Sequence, residues 1–240
     1  MAGTKKVALI TGANKGLGLE IARQLGREGV TVVIGARDIA KGQTAANTLQ
    51  AEGLDAHAVK IDVTSAEDIA ALPAFFATKF GGLDILINNA GVMKEREGEV
   101  NAKTLRSTFE ANVIGPFAVT QALLPLLKAS PAGRIVNHSS ILGSLTVNSA
   151  PDQISTEWLA PAYNSSKAAL NMLTIIQARQ LADTKIKVNA AHPGWVKTDL
   201  GTDAAPMETP DGAKTAVRLA LLPEDGPSGG YFHMNDTLPW

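Results

Sequence analysis

The segment Val7-Ala-Leu-Ile-Thr-Gly-Ala-Asn-Lys-Gly-Leu-Gly18 decides the fold class of this chain. It opens with a short apolar run, which is typical of a strand buried on both faces of a parallel sheet. Glycines follow the run, and apolar residues at helical spacing begin directly behind them. This context favours a dinucleotide site over a simple tight turn, because glycines let the backbone approach a pyrophosphate at a helix N-terminus. The residues expected to contact the dinucleotide are Gly12, Asn14, Lys15, Gly16, Leu17 and Gly18.

Outward from this segment, short apolar runs alternate with helical patterns along the whole chain. The predicted strands are Val7–Ile10, Val30–Ile34, Ala56–Ile61, Leu83–Ile87, Arg134–Asn137, Ile186–Ala190 and Tyr231–Met234. The predicted helices are Leu17–Glu28, Ala40–Glu52, Ala66–Phe80, Ala102–Lys128, Ala162–Asp183 and Gly212–Leu221. The alternation predicts an α/β protein, a single-domain Rossmann fold over residues 1–240 with a doubly wound parallel sheet of about seven strands flanked by helices.

The composition excludes several classes of protein. The 240 residues are 45% apolar and 19% charged, and the formal net charge of −1 gives no electrostatic reason to bind nucleic acid. No stretch approaches the ~20 apolar residues of a membrane span, and the N-terminus has no signal-peptide pattern. The absence of cysteine excludes disulfides, a thiol nucleophile and thiolate metal sites. We therefore predict a cytoplasmic protein that binds neither nucleic acid nor membrane.

The histidines predict neither a metal centre nor a hydrolase. His57, His138, His192 and His233 are scattered without the spacing of metal ligands, so we predict no metal. His138 precedes a pair of serines, but neighbours along a strand point to opposite faces, which does not suit a Ser–His pair. The sequence also has no Gly-x-Ser-x-Gly elbow between a predicted strand and a predicted helix, where hydrolases carry it. We interpret His138 as a packed or partly exposed side chain.

The end of the second predicted strand, Gly35-Ala-Arg-Asp38, bears on the choice of cofactor. At this point a carboxylate bonds the 2′-hydroxyl of NAD, whereas an arginine accommodates the 2′-phosphate of NADP. Both Arg37 and Asp38 are present, and Lys15 adds a second cation unless it is simply solvated. Because two cations suit a phosphate better than a hydroxyl, we predict NADPH/NADP as the cofactor.

The ends of the next two strands are expected to complete the cofactor site. Small and amide side chains at such positions allow the backbone to approach a ligand closely. Asn88 is open to two interpretations, a structural tie between strands or a cofactor contact. The other residues expected to contact the cofactor here are Asp62, Val63, Asn89, Ala90 and Gly91.

Tyr163 and Lys167 stand four residues apart in a helical pattern and therefore share one face. A neighbouring ammonium makes a phenol easier to deprotonate, because the cation favours the phenolate. A Tyr-x-x-x-Lys pair alone is usually a surface feature. Together with a dinucleotide site, it predicts an oxidoreductase acting on carbonyls or alcohols.

Several motifs in the same order give this chain a resemblance to a known family. Over almost its entire length the chain resembles the short-chain dehydrogenase/reductase family, and it is most similar to the carbonyl reductase branch, which uses NADPH. The motifs of the family are Thr11–Gly18, Asn88–Gly91, Asn112, Ser140, Tyr163 with Lys167, and Pro193-Gly194 with Thr198. Those of the branch are Ala36-Arg-Asp38 with Gly42-Gln43, Pro193–Asp199 and Leu219–Pro223.

The resemblance implies roles for individual residues. Tyr163 would be the general acid for the carbonyl oxygen, with Lys167 lowering its pKa and binding the nicotinamide ribose. Ser140, chosen over Ser139 because a small residue, Gly143, follows three positions later as in the family, would donate a hydrogen bond to the substrate oxygen. Asn112 would help to hold a water that connects Lys167 to solvent.

The resemblance also places the nicotinamide ring at the loop after the sixth strand. Thr198 would bond its carboxamide, and Pro193, Gly194 and Val196 would shape its pocket. The ring itself would carry the hydride.

Two long connections, a 144–161 insertion loop and a 194–210 substrate loop, are expected to control the substrate. Residues Ile141, Trp158, Trp195 and Met207 would make an apolar pocket for an apolar or aromatic ketone or aldehyde, with simple packing as the alternative for Trp158. The insertion leaves both a monomer and a homodimer open. Two alternatives to carbonyl reduction also stay open, a dehydrogenase acting mainly in alcohol oxidation and a non-catalytic NADP-binding sensor.

Overall fold

The protein is built on one sheet of almost entirely parallel strands. The computed structural model describes residues 5–97, 100–150, 154–155 and 158–240. The strands are β1 Val7–Thr11, β2 Thr31–Ala36, β3 Ala56–Lys60, β4 Ile85–Asn88, β5 Arg134–His138, β6 Lys187–Ala191, β7 Tyr231–His233 and β8 Asp236–Thr237. Their order is β3-β2-β1-β4-β5-β6-β7-β8, and every neighbouring pair except β7–β8 is parallel. The predicted doubly wound α/β fold is confirmed.

The eighth strand is an addition to the predicted sheet of about seven. β8 has two exposed residues and pairs antiparallel with β7, so it has no apolar run from which a strand could be predicted. Some predicted strands also begin one or two residues before the observed strands. Val30, Leu83 and Ile186 are buried before their strands begin, because the apolar core extends past the last paired residue.

Helices cover both faces of the sheet and bury two separate cores. They are α1 Gly16–Arg27, α2 Ile39–Ala51, α3 Ala66–Phe80, α4 Ala102–Phe109, α5 Gly115–Ala129, α6 Leu145–Ser149, α7 Pro161–Gln180 and α8 Thr209–Ala220. Alternate residues of β1 serve the two cores, as expected for a strand buried on both faces. Ala8 and Ile10 belong to the core under α1, α2 and α8, whereas Leu9 belongs to the core under α3, α5 and α7.

The single helix predicted over Ala102–Lys128 is interrupted. A π-helical turn, Glu110–Ile114, separates α4 from α5. Pro116 lies in the first turn of α5 and has no N–H, so it cannot give the carbonyl of Asn112 its α-helical hydrogen bond. Such turns are frequent at functional sites, and this one contains a predicted site residue, Asn112.

The two long connections flank the carboxyl edge of the sheet. The predicted substrate loop, residues 194–210, runs from β6 to α8. In the predicted insertion loop, residues 144–161, Ser144 caps α6 by accepting the N–H of Val147 at 3.1 Å. Residues 151–153 and 156–157 of that insertion lie outside the described residues. None of the described helices is long and apolar enough to cross a membrane.

Candidate active site

A cavity of about 1170 Å³ opens at the carboxyl ends of the parallel strands. It spans the junction of β1 and β4, where the strand order reverses and where sheets of this kind bind ligands. Two predicted site residues, Asn112 and Met207, are not among its described lining residues. The predicted residues that the cavity brings together are Gly12, Asn14, Lys15, Gly16, Leu17, Gly18, Arg37, Asp62, Val63, Asn89, Ala90, Gly91, Ser140, Ile141, Trp158, Tyr163, Lys167, Pro193, Gly194, Trp195, Val196 and Thr198.

The glycine turn is fastened to the end of β4. Thr11 Oγ1 accepts the N–H of Asn89 at 3.0 Å, and Asn89 Nδ2 donates to the Thr11 carbonyl at 2.8 Å. Gly12 and Gly16 have φ angles of 65° and 56°, which side chains disfavour. Lys15, the N-cap residue of α1, makes no side-chain capping bond within the described structure, so the helix N-terminus stays open to an anion. The turn therefore fits a pyrophosphate.

The end of β2 presents cations to the cavity and commits its carboxylate elsewhere. Arg37 and Lys41 both line the cavity. Asp38 Oδ1 accepts a backbone N–H of the first turn of α2 at 2.9 Å, so this carboxylate caps the helix. The arrangement suits a phosphate better than a sugar hydroxyl.

Lys15 makes a contact that its sequence position did not predict. Its ammonium pairs with the carboxylate of Asp199 in the 194–210 loop and lowers the pKa of that carboxyl. Both side chains are largely exposed, and the glycine turn and the loop bring the opposite charges together. Lys15 thus lines the cavity with its ammonium paired to Asp199, and Lys41 is a further cation that lines the cavity with Arg37.

Tyr163 and Lys167 lie one turn apart on α7 and line the cavity together. Lys167 Nζ is 5.6 Å from the centroid of the Tyr163 ring and donates a hydrogen bond to the carbonyl oxygen of His138 at 2.7 Å. The two residues are only 6% and 4% exposed. Burial lowers the pKa of Lys167 to about 8. A phenol and a buried amine therefore share one polar corner of the cavity.

Ser140 lines the cavity with its hydroxyl, while the hydroxyl of Ser139 is bound to a neighbouring helix. Ser139 Oγ donates to Asn171 Oδ1 of α7 at 2.5 Å. Ser140 Oγ accepts a backbone N–H two residues further on at 3.3 Å, which leaves its proton for a ligand as far as the described residues show. A Cβ atom on Gly143 would lie 2.6 Å from the backbone carbon of Lys167, so the turn after Ser140 packs tightly on α7.

Asn112 supports the site from beneath the cavity. Its Oδ1 accepts the N–H of Val92 at 2.8 Å, and its Nδ2 donates to the Val92 carbonyl at 2.9 Å and to Ser166 Oγ at 3.0 Å. Ser166 Oγ in turn donates to the carbonyl of Tyr163 at 2.7 Å. The side chain is fully buried and committed to protein groups. The backbone carbonyl of Asn112, in contrast, has lost its α-helical donor, because Pro116 has no N–H.

Glu95 fixes the start of α7, although no sequence pattern pointed directly to this contact. Ala160, the N-cap residue, makes no side-chain capping bond in the described structure. Glu95 Oε1 instead accepts the backbone N–H of Tyr163 at 2.7 Å from the loop after β4. The only available signal was the lack of a capping side chain before Pro161. Glu95 thus positions the backbone that carries the phenol.

Two tryptophans form the apolar end of the cavity. The rings of Trp158 and Trp195 meet edge to face with centroids 5.2 Å apart, and Trp195 Nε1 donates to the carbonyl of Gly201 at 2.6 Å. Both also line an adjoining cavity of about 450 Å³. Met207 is not among the described lining residues of either cavity; its backbone pairs with Val196 and Trp195, and its side chain packs against Gly194.

His138 is packed, which is one of the two states expected from the sequence, but its place in the cavity was not predicted. It is 6% exposed, and it lines the cavity together with Ser140 and His192. Burial lowers the pKa of His138 to about 3, with Lys167 and His192 lowering it further. Burial likewise lowers the pKa of His192 to about 3, and its Nδ1 accepts the N–H of Ile141 at 3.2 Å. Both imidazoles are therefore neutral near pH 7.

Comparison with known proteins gives consistent matches over almost the whole chain. A sequence model of the short chain dehydrogenase family matches residues 6–209. Carbonyl reductase (NADPH) 1 of Sus scrofa is 35% identical over 282 aligned positions, covering 100% of this chain and 96% of that protein. An NADPH-bound carbonyl reductase from chicken fatty liver superposes with a TM-score of 0.85 and 29% identity, covering 98% of this chain and 99% of that chain. Salutaridine reductase from Papaver somniferum superposes with a TM-score of 0.83 and 30% identity, covering 95% and 99%.

Proposed function

Because the chain belongs to the short-chain dehydrogenase/reductase family, we propose that it is an NADPH-dependent carbonyl reductase. It reduces the carbonyl carbon of a ketone or aldehyde to an alcohol. The observation that carries the proposal is the meeting of Tyr163, Lys167 and Ser140 in one cavity with the open N-terminus of α1. The similarity to carbonyl reductases of animals supports the same activity.

The cavity fits the cofactor at each of its polar ends. The glycine turn and the N-terminus of α1 would hold the pyrophosphate, Arg37 and Lys41 would bind the 2′-phosphate, and Asp62 and Val63 would bracket the adenine; all of these residues line the cavity. Lys167 would bind the nicotinamide ribose, and Thr198 would bind the carboxamide. When bound, NADPH supplies the hydride.

Two side chains, Ser140 and Tyr163, act on the substrate oxygen as it gains negative charge, and Lys167 acts on Tyr163. Ser140 Oγ donates a hydrogen bond that fixes the oxygen in place. The Tyr163 hydroxyl gives up its proton to that oxygen. The Lys167 ammonium, 5.6 Å from the Tyr163 ring centroid, stabilises the charge left on the phenol. The carbonyl of Asn112 then offers a position for the water through which Lys167 exchanges protons with solvent.

The substrate class follows from the apolar end of the cavity. Trp158, Trp195 and Ile141 line it, which suits an apolar or aromatic group beside the carbonyl. The cytoplasmic location and the choice between monomer and homodimer stay predictions from the sequence.

A panel of ketones and aldehydes, assayed with NADPH and with NADH, tests the proposed activity. We expect carbonyl-dependent loss of the NADPH absorbance, with aromatic and apolar carbonyls as the better substrates. Tight NADP binding without turnover of any carbonyl would instead identify a non-catalytic sensor.

Arg37→Ala is expected to weaken NADPH binding about 10- to 100-fold, because a charge-assisted hydrogen bond contributes about 1.5–3 kcal/mol. NADH binding should change little, since NADH has no 2′-phosphate. Titration of the free protein with both nucleotides measures the two Kd values. Lys185→Ala, which removes an exposed cation paired with Glu224, is the control. Equal losses for NADPH and NADH would contradict the assignment of Arg37.

The pH dependence of kcat/KM for NADPH should follow the protonation of the Lys167 amine. In the free protein its ammonium is present below about pH 8 and is lost as the pH rises through that value. We therefore expect kcat/KM for NADPH to fall above about pH 8, since this parameter reports the free enzyme. The folded pKa is below the unfolded value, so the same group makes folding more favourable as the pH rises between the two.

NADPH titrations of the Tyr163→Phe protein separate Lys167 from the phenol. Affinity for NADPH should still decline above about pH 8 in that variant. If the NADPH affinity of Tyr163→Phe did not decline above about pH 8, the titration would belong to Tyr163 instead.

A further inference from the structure

The imidazole ring of His138 can donate and accept hydrogen bonds, but it makes none with the residues that the structure describes. The residue ends β5, where it is in register with Ala191 of β6. Its side chain is 6% exposed, yet neither ring nitrogen has a hydrogen-bond partner among the residues that the structure describes. A buried polar group without a partner lowers stability, and such groups are rare in folded proteins. The ring therefore calls for an explanation other than packing.

The surroundings of the ring place it in the catalytic corner. His138 lines the cavity with Ser140, Tyr163 and Lys167, and its backbone carbonyl accepts the Lys167 ammonium at 2.7 Å. The charged and titratable groups near it are Lys167 and His192, and His192 stacks in turn on His233 with centroids 5.0 Å apart. Kept neutral by burial, the imidazole offers one N–H donor and one acceptor nitrogen.

The position along the sheet decides which half of the cofactor the ring meets. The cations for the 2′-phosphate lie at the end of β2, and β1 and β4 separate β2 from β5. Three strand spacings amount to about 14 Å, so the adenosine end is out of reach of His138. A ribose hydroxyl both donates and accepts, and thus matches either nitrogen of a neutral imidazole.

We propose that His138 is a cofactor-binding residue whose imidazole hydrogen-bonds a hydroxyl of the nicotinamide ribose. This inference rests on the proposed use of NADPH and adds to it a second ribose contact beside Lys167. The ring is left without a protein partner so that the cofactor can supply one.

Three variants of His138 test the assignment through binding and stability rather than through turnover. His138→Leu removes both polar atoms, while His138→Gln and His138→Asn each keep one donor and one acceptor. Each free protein is titrated with NADPH and with adenosine 2′,5′-bisphosphate, which has only the adenosine end, and its thermal unfolding midpoint is measured. His57→Leu, at the far edge of the sheet, is the matched control.

For His138→Leu we expect NADPH to bind about 3- to 10-fold more weakly, as for the loss of one hydrogen bond. The affinity for adenosine 2′,5′-bisphosphate should be unchanged, and the unfolding midpoint of the free protein should rise because an unpaired buried polar group is gone. At least one amide variant should recover part of the NADPH affinity.

Unchanged NADPH affinity in all three variants would overturn the proposal, as would equal losses for both ligands. If NADPH binds the wild type but no carbonyl is reduced, the proposed activity fails while the binding results still decide the role of His138.

Discussion

Tyr163→Phe is expected to lower kcat for carbonyl reduction by about 10²–10⁴-fold, the usual contribution of a positioned general acid. The substitution removes one hydroxyl from a ring that is 6% exposed and leaves its packing unchanged. Lys167, Ser140 and the glycine turn stay in place, so the Kd for NADPH should change by no more than about tenfold, which is the loss of one neutral hydrogen bond at most. The expected signature is thus a loss of turnover with cofactor binding retained.

Steady-state kinetics on the best substrate of the panel, together with NADPH titration, measure both quantities. The chain contains only one other tyrosine, and Tyr231→Phe is therefore a matched control. Tyr231 is fully buried, and its hydroxyl has no partner among the described residues and does not line the cavity. Tyr231→Phe should keep full activity. Wild-type turnover in Tyr163→Phe would show that another group supplies the proton.

Gly143→Ala is expected to lower kcat by about 10²-fold, because a misplacement of about 1 Å at a catalytic group costs that much. The added Cβ would lie 2.6 Å from the backbone carbon of Lys167 and 2.7 Å from its Cβ. The turn after Ser140 and the helix α7 must therefore move apart. That movement separates Ser140 from the Tyr163–Lys167 pair without changing any group that touches the substrate.

Gly82→Ala is the control for this substitution, since nothing lies within 4 Å of a Cβ at that position. The strain should also reduce the free energy of unfolding of Gly143→Ala by about 1–3 kcal/mol, the usual effect of overpacking. Chemical denaturation and kcat are measured on both variants. A Gly143→Ala protein with unchanged kcat would show that the site tolerates the displacement.

The sequence predicted the fold and the chemistry of the site well where local patterns determine them. Continuous apolar runs predicted the parallel strands, because a strand that is buried on both faces has apolar residues at nearly every position. The positions of Gly12, Gly16 and Arg37 followed from the strand before each of them. Pro116 could have predicted the break in the helix over 102–128, but the apolar residues around it keep a helical spacing, so one continuous helix was predicted.

The parts that sequence reasoning missed depend on contacts between distant segments. Glu95 meets the N–H of Tyr163 from 68 residues away, and no spacing rule connects them. Lys15 finds Asp199 across 184 residues. The cavity position of His138 was not predicted, because alternation along a strand says nothing about a residue at its last position, where the strand meets the cavity.

The groups expected to bind the cofactor and the proposed proton donor are carried by helices on opposite faces of the sheet. The helices α1 and α2 on one face present the cofactor-binding turn and the cations, while α5 and α7 on the other face hold the π-helical turn and the proton donor. Substitutions in the two layers have few neighbours in common, so their free-energy effects should add. Substitutions on the first face can therefore change the preference between NADPH and NADH without changing the pKa of the proton donor on the second face.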